Sequence, residues 1–452
     1  MNAIDDLKER LGGKVSTAES VLETHGRGES YRETRLPLAV VFPESTEDVQ
    51  AVMAWANEHA IPVIAVGAGT SLEGQTVPQG PAVSLDLSKM TRILQVSPED
   101  FLAVVEPGVT YQTLNRTLRN QGLFFPVDPG ADASLGGMAG TNASGTTTVR
   151  YGGMHQNVLA LEVVLAGGEA IQVGRAVRKT SSGYDLKDLF IGSEGTLGII
   201  TKLSVKLHPL PVHVHTLRAF FPSVEAAAEA AYALMASGLP LARVELVDDR
   251  GMNDINWYLG RTYPELPALF LEFHSSTRGG LEEESAEVQR LVREAGASSV
   301  DTAVTAEERT AQWEARHQLY WAFTKHHPGQ QYMLTDAAVP LSHMPEIVAL
   351  AHRLLTEMEL NGTVVGHVGD GNFHTVVAVA PGDYARTQEF ADRIAEAALA
   401  MGGTATGEHG IGVRKKKYLA LEHPSSVPWM REIKRLFDPK GLLNPGKVVD
   451  PK

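Results

Sequence analysis

The sequence predicts an α+β protein of two principal domains, with a helical segment ahead of the first and a short segment after the second that docks back elsewhere. Three observations carry this. A chain of 452 residues exceeds what one hydrophobic core usually supports. Residues 37–211 alternate short β-rich runs with helices and unusually glycine-rich loops. After Pro209-Leu-Pro-Val the composition changes to Ala-rich helical stretches separated by strands. The expected boundaries are 1–36 for the helical segment, 37–212 and 213–423 for the two domains, and 424–452 for the returning tail.

The opening Met1-Asn-Ala-Ile-Asp-Asp-Leu-Lys-Glu-Arg mixes acid and base and reads as an amphipathic helix, not a secretory signal. Strands are expected over 38–42, 63–66, 82–87 and 102–106, where β-branched and apolar residues dominate. Between the first two lies a helix over 46–59, opened by Ser45-Thr-Glu-Asp and ended before Pro62. In the second domain helices are expected over 224–236, 281–295 and 344–358, with strands such as 268–273 between them. The tail carries a helix over 429–437, followed by Asp438-Pro-Lys-Gly-Leu-Leu-Asn-Pro-Gly446.

Composition excludes several classes of function. Asp and Glu number 54 against 40 Lys and Arg, a formal charge of -14, which argues against nucleic acid or an anionic membrane surface as the main partner. A small anionic substrate would therefore need local positive charge. The absence of cysteine rules out disulfides, thiolate zinc sites and any iron–sulfur cluster held by this chain alone. No run approaches the roughly 18 consecutive apolar residues that span a bilayer. The resulting expectation is a cytoplasmic protein, with peripheral contact at the inner face of the membrane left open, and a homodimer on base rates.

Three glycine-rich elements carry the first domain's chemistry. Gly67-Ala68-Gly69-Thr70-Ser71-Leu-Glu-Gly74 directly follows a strand, so its small residues can present backbone N–H groups to a diphosphate. It is not a Rossmann fingerprint: the third glycine falls seven residues after the first, and 75–80 does not read as a helix. Taken alone, the loop is as readily a tight turn. A longer cluster, Pro126-Val-Asp-Pro-Gly-Ala-Asp-Ala-Ser-Leu-Gly-Gly-Met-Ala-Gly-Thr-Asn-Ala-Ser-Gly145, implies close backbone approach to something large. The third, Gly192-Ser-Glu-Gly-Thr-Leu-Gly-Ile-Ile-Thr201, leads from glycines into a β-branched strand.

In the second domain, His367-Val-Gly-Asp-Gly-Asn-Phe-His374 reads as strand, turn, strand, so two imidazoles can converge on one face. With Glu408 from Gly407-Glu-His-Gly410, they would make a facial two-His, one-carboxylate metal site. The same spacing also fits hydrogen-bonded structural histidines.

These motifs, in this order, resemble the FAD-linked oxidases of the p-cresol methylhydroxylase and vanillyl-alcohol oxidase superfamily, most nearly their D-lactate dehydrogenase branch. The match runs through Phe125-Pro-Val-Asp-Pro-Gly-Ala-Asp-Ala-Ser, Ala143-Ser-Gly-Thr, Arg150-Tyr-Gly, Gly192-Ser-Glu-Gly-Thr-Leu-Gly, Val365-Gly-His-Val-Gly-Asp-Gly-Asn-Phe-His and Gly407-Glu-His-Gly-Ile-Gly. The resemblance implies an FAD-binding domain of the p-cresol methylhydroxylase type, then an α/β substrate domain with an antiparallel sheet, then a tail that packs back on the flavin. It implies that Gly67, Ala68, Gly69, Thr70, Ser71, Pro129, Asp132, Ser134, Gly137, Asn142, Ser144, Gly145 and Tyr151 contact FAD. Glu194 and Ile199 would meet its adenosine part, and Asn444 would return to the flavin. With no Cys, and no His in the first loop, the flavin is expected to be non-covalent.

The resemblance further implies that His367, His374 and Glu408 hold zinc or manganese, and that His409 is the general base beside flavin N5, to which hydride passes from the substrate Cα. In Trp313-Glu-Ala-Arg316, Arg316 would clamp the substrate carboxylate. Tyr320, Leu334 and Val376 stand where the D-2-hydroxyglutarate branch has Thr, Lys and Asn, so a second carboxylate would lose its partners. The expected activity is oxidation of a D-2-hydroxy monocarboxylate such as D-lactate, with electrons leaving to a cytochrome, quinone or electron-transfer protein. The alternatives are the flavin subunit of a glycolate oxidase complex and an inactive flavin-binding scaffold.

Overall fold

The structure is a computed structural model, and it describes residues 2–303 and 305–450. The chain divides into two compact units, neither of them continuous in sequence. The first comprises Met1–Ser144, Gly152–Leu210 and Glu408–Lys452, and the second Gly145–Tyr151 and Pro211–Gly407. Unlike the linear division drawn from composition, the segment that rejoins the first unit starts at Glu408, and the short stretch Gly145–Tyr151 goes with the second.

In the first unit, strands Val15–Ser16, Ala39–Val41, Val83–Asp86 and Val63–Val66 form a four-stranded sheet in that order, its last two pairings parallel. The helix Thr46–His59 covers it. Ser45 caps that helix by accepting from the Asp48 N–H, and Val49, Val52, Met53 and Ala56 pack at helical spacing into the sheet's core. A second, five-stranded antiparallel sheet is ordered Ile93–Ser97, Leu102–Val105, Ile199–Lys206, Val158–Val164, Ala170–Gly174. The expected tail helix spans Val427–Phe437, and the chain beyond it pairs with the first sheet. Val63 N–H donates to Leu442 O at 2.8 Å and Asn444 N–H to Val63 O at 2.9 Å, so the tail runs beside the strand that feeds the first glycine loop.

The second unit is built on a seven-stranded, fully antiparallel sheet ordered Ser299–Ala303, His213–Phe220, Ala268–Ser275, Leu241–Val247, Gly362–Gly366, Asn372–Val379, Gln331–Ala338. Helices Val224–Ala236, Arg278–Glu294, Met344–Glu357 and Tyr384–Ala400 bury one face, through the Ala and Leu rows that mark them in sequence. Helices Asp249–Leu259, Ala306–His317 and Leu319–His326 pack on the other face. Side chains alternate faces along a strand. Val244 and Leu246 accordingly enter the first core, and Val247 enters the second.

Candidate functional site

In the first unit the glycine loops converge on a cleft that opens to solvent. Of the residues singled out from sequence, Gly67, Ser71, Gly137, Glu194, Ile199 and Asn444 line it. Sequence reasoning did not name Gln75, Thr76, Thr141 and Ser193, which line it too. The glycines are there because the backbones touch. A Cβ on Gly67 would collide with Ser134 Oγ, and one on Gly136 with Pro107. Such a bare-backbone cradle fits the diphosphate and ring of a large cofactor.

The remaining first-unit residues singled out from sequence are not among those that line the cleft. Ser134 Oγ accepts from the Ala68 N–H at 3.2 Å, which ties the first loop to the second. Gly69 holds a φ of +73° next to the exposed Thr70. Asn142 takes a left-handed φ of 53°, and its Oδ1 accepts from the His155 N–H. Asp132 is exposed and Pro129 half-buried.

Asn444 binds the loops together, donating through Nδ2 to Gln75 O at 3.1 Å and to Glu194 O at 2.7 Å. Glu194, itself left-handed at φ 53°, accepts through its carboxylate from the Ile411 and Gly412 N–H groups. Burial pushes its carboxyl up to about 7 despite those bonds.

His409 also belongs to this unit, and it sits beside a carboxylate that the sequence did not mark. Its Nδ1 lies 3.6 Å from Glu73 Oε1, and its carbonyl accepts from Gln75 Nε2 at 2.7 Å. Glu73 is fully buried in the first glycine loop. Burial alone would raise its carboxyl, but Lys415, Arg414 and His409 outweigh burial and bring it down to about 2. Next to His409, Glu408 accepts from Ser144 Oγ at 2.8 Å.

The second unit supplies side chains instead. Gly371, at φ +86°, closes the turn between strands Gly362–Gly366 and Asn372–Val379, and the rings of His367 and His374 meet edge to face with centroids 5.3 Å apart. Each histidine backs onto a buried carboxylate. His367 Nδ1 lies 2.7 Å from Glu245 Oε1, and His374 Nδ1 lies 3.6 Å from Asp336 Oδ1. For His367 the carboxylate hydrogen bond on Nδ1 directs the Nε2 lone pair outward, which is how proteins prepare an imidazole for a metal, whereas Asp336 stands beyond hydrogen-bond range of His374 Nδ1 and contributes charge alone. This pair therefore fits a divalent ion.

Arg316 sits at the end of the helix Ala306–His317, and its Nε and Nη2 reach Glu245 Oε2 at 3.0 and 2.7 Å. Burial works against the Glu245 charge, but His367 and Arg316 hold its carboxyl below the usual value. Leu334 and Val376 are direct cross-strand partners, and with Tyr320, Tyr332, Phe323 and Ala378 they form one apolar cluster. His374 and Val376 share a sheet face, about 6–7 Å apart along the strand.

Gly145 and Tyr151 belong to this unit, not to the first. The Gly145 N–H donates to Thr148 Oγ1, and the Tyr151 hydroxyl pairs with His274 Nδ1 at 2.9 Å.

Two family models match: an FAD binding domain over residues 37–174, and the C-terminal domain of FAD linked oxidases over residues 210–448. The chain belongs to the FAD-linked oxidases. Among its curated relatives within this family, a probable mitochondrial D-lactate dehydrogenase of Danio rerio is 43% identical over 96% of this chain and 89% of that protein. The mitochondrial D-lactate dehydrogenase [cytochrome] of Arabidopsis thaliana is 38% identical over 99% of this chain and 80% of its own. Glycolate oxidase subunit GlcD of Bacillus subtilis is 33% identical over 91% and 89%. In fold, this FAD-linked oxidase is similar to 4-ethylphenol oxidase from Gulosibacter chungangensis, with a TM-score of 0.81 and 21% identity over 99% of this chain and 96% of that one. It is likewise similar to p-cresol methylhydroxylase, with a TM-score of 0.80 and 19% identity over the same shares. Among the described residues, no helix is long and apolar enough to cross a membrane.

Proposed function

We propose that this FAD-linked oxidase is a dehydrogenase that oxidises D-lactate, or a D-2-hydroxy monocarboxylate close to it, to the 2-oxo acid. The observation that carries the reading is the 43% identity over 96% of the chain to a protein named a D-lactate dehydrogenase. FAD, when bound, supplies the two-electron acceptor. The chain's own residues do the rest. His409 takes the substrate hydroxyl proton, and the buried Glu73 beside its Nδ1 steadies the charge it acquires. Arg316 pairs with the substrate carboxylate. Because its Nε and Nη2 already engage Glu245, that carboxylate meets the Nη1 side of the guanidinium. His367, His374 and Glu408 would hold zinc or manganese, which would supply Lewis acidity toward the substrate hydroxyl.

The apolar cluster of Tyr320, Leu334 and Val376 supports a substrate without a second carboxylate, since a buried charge with no partner is costly. Reduced flavin is reoxidised by an external acceptor. A cytochrome is in keeping with the name of the Arabidopsis relative. A second reading, the flavin subunit of a glycolate oxidase, is favoured by the relative named GlcD.

Turnover of the purified chain with an artificial acceptor separates the two. D-lactate is expected to be used well and D-2-hydroxyglutarate poorly. A clear preference for glycolate would move the assignment to the second reading.

A further inference from the structure

We infer that Glu245 is a positioning residue that fixes a metal ligand and the substrate-binding arginine at once, one through each carboxylate oxygen. Oε1 meets His367 Nδ1 at 2.7 Å, and Oε2 meets Arg316 Nε at 3.0 Å and Nη2 at 2.7 Å. The side chain is 1% exposed. It sits on Leu241–Val247, the middle strand of the seven-stranded sheet, where Leu246 is paired with Gly366 and Val247 with Val365. Carrying that antiparallel register one step further sets Glu245 opposite His367. The strand's other residues are mostly apolar, and a carboxylate buried among them is expensive unless it is fully partnered. Here both oxygens are engaged, one by an imidazole and the other by a guanidinium.

Acceptance from Nδ1 selects the tautomer of His367 whose Nε2 carries the lone pair. Acceptance from Nε and Nη2 fixes the guanidinium plane, so the remaining N–H groups of Arg316 are held in set directions, with Nη1 foremost among them. The ligand and the clamp are thereby set by a single side chain and cannot drift independently. This inference rests on the roles proposed above for His367 and Arg316.

E245Q tests it. The amide is isosteric but has one acceptor oxygen, so in either orientation its NH2 faces a donor, either His367 Nδ1–H or the Arg316 guanidinium. Two quantities are measured on the FAD-loaded enzyme: affinity for Mn2+ by competition with a chelator, and KM for D-lactate. Near-UV circular dichroism and flavin content serve as controls on folding. Mn2+ affinity is expected to fall by about tenfold to hundredfold, and KM to rise by about tenfold. R316K, which leaves His367 its partner, is expected to raise KM while leaving Mn2+ affinity within about twofold. Should E245Q lose its flavin, E245D, which keeps the charge but withdraws it by one methylene, is read in the same two assays with the same expectation. A change in one quantity without the other, or in neither, overturns the inference. A wild-type enzyme that binds neither Mn2+ nor Zn2+ overturns the metal assignment itself and the inference with it, whereas wild-type binding that E245Q matches overturns the inference alone.

Discussion

The two units hold their chemistry in opposite ways. In the first, the cleft is made of backbone: Gly67 and Gly136 sit where a single methyl group would strike a neighbour, and loops are tied by Asn444 amide bonds to carbonyls. In the second, the histidines are side chains at and just beyond interior strands, each beside a buried carboxylate, Glu245 by His367 and Asp336 by His374. Backbone recognition suits a large, invariant cofactor, because it depends on shape and N–H placement. Side-chain recognition suits a substrate, because charge and proton position decide it. Added volume should therefore damage the glycine cleft of the first unit, whereas the groups that act through side chains, His409 beside Glu73 in the first unit and Arg316 beside Glu245 in the second, should answer to altered charge or hydrogen bonding.

The largest effect is expected from G136V. Its Cβ would run into Pro107 in the floor of the cleft, so the purified protein should carry almost no flavin absorbance. H409N should keep its flavin yet lose about 10²–10⁴-fold in kcat/KM for D-lactate, as removal of a general base does. E73Q sharpens the comparison, since it changes charge without volume inside the backbone-built unit. It should cost roughly 3–5 kcal/mol at neutral pH by leaving Arg414 and Lys415 without their buried partner. The Glu73 carboxyl is held at about 2 in the folded state against an ordinary value of 4.5. Its contribution is therefore fully present above pH 4.5 and is lost as pH falls through that interval, so the gap between wild type and E73Q should narrow on acidification, as read by denaturant midpoints. The smallest effect is expected for R316K, a rise in KM of about tenfold with kcat little changed, because an ammonium keeps the charge but not the planar fork.

Some of this was legible in the sequence because it depends on local rules. Ser45 and Ser223 each stand one residue before a helix whose bounds agree with the pattern, since capping and periodicity act within a few residues. Strand ends moved by a residue or two: within the run over 38–42 the strand is Ala39–Val41, with Leu38 and Phe42 adding one backbone hydrogen bond each, to Ala82 O and Lys14 O. The assignment of Gly145–Tyr151 to the second unit and of Glu408 onward to the first is set by contacts distant in sequence, which no window along the chain registers.

The same holds at the site. The histidine pair and the glycine loops are visible by spacing, but spacing alone fits structural histidines and a tight turn as well, and their roles come from the resemblance to FAD-linked oxidases. Glu73, Glu245 and Asp336 do not, for each is a single acid within a glycine loop or a largely apolar strand. Only the pairing of Leu241–Val247 with Gly362–Gly366 shows what Glu245 faces. The resemblance implies a clamp at Arg316, but its ion pair to Glu245 needed the fold.

D-lactate is expected to reduce the flavin with help from a bound divalent ion. Anaerobic titration of the visible flavin absorbance with D-lactate, L-lactate, glycolate and D-2-hydroxyglutarate, before and after chelator treatment, tests it most directly. Rapid bleaching by D-lactate that the chelator abolishes and added Mn2+ or Zn2+ restores is the predicted result. Bleaching by D-2-hydroxyglutarate in preference to D-lactate, or D-lactate bleaching that survives complete removal of metal, would contradict it.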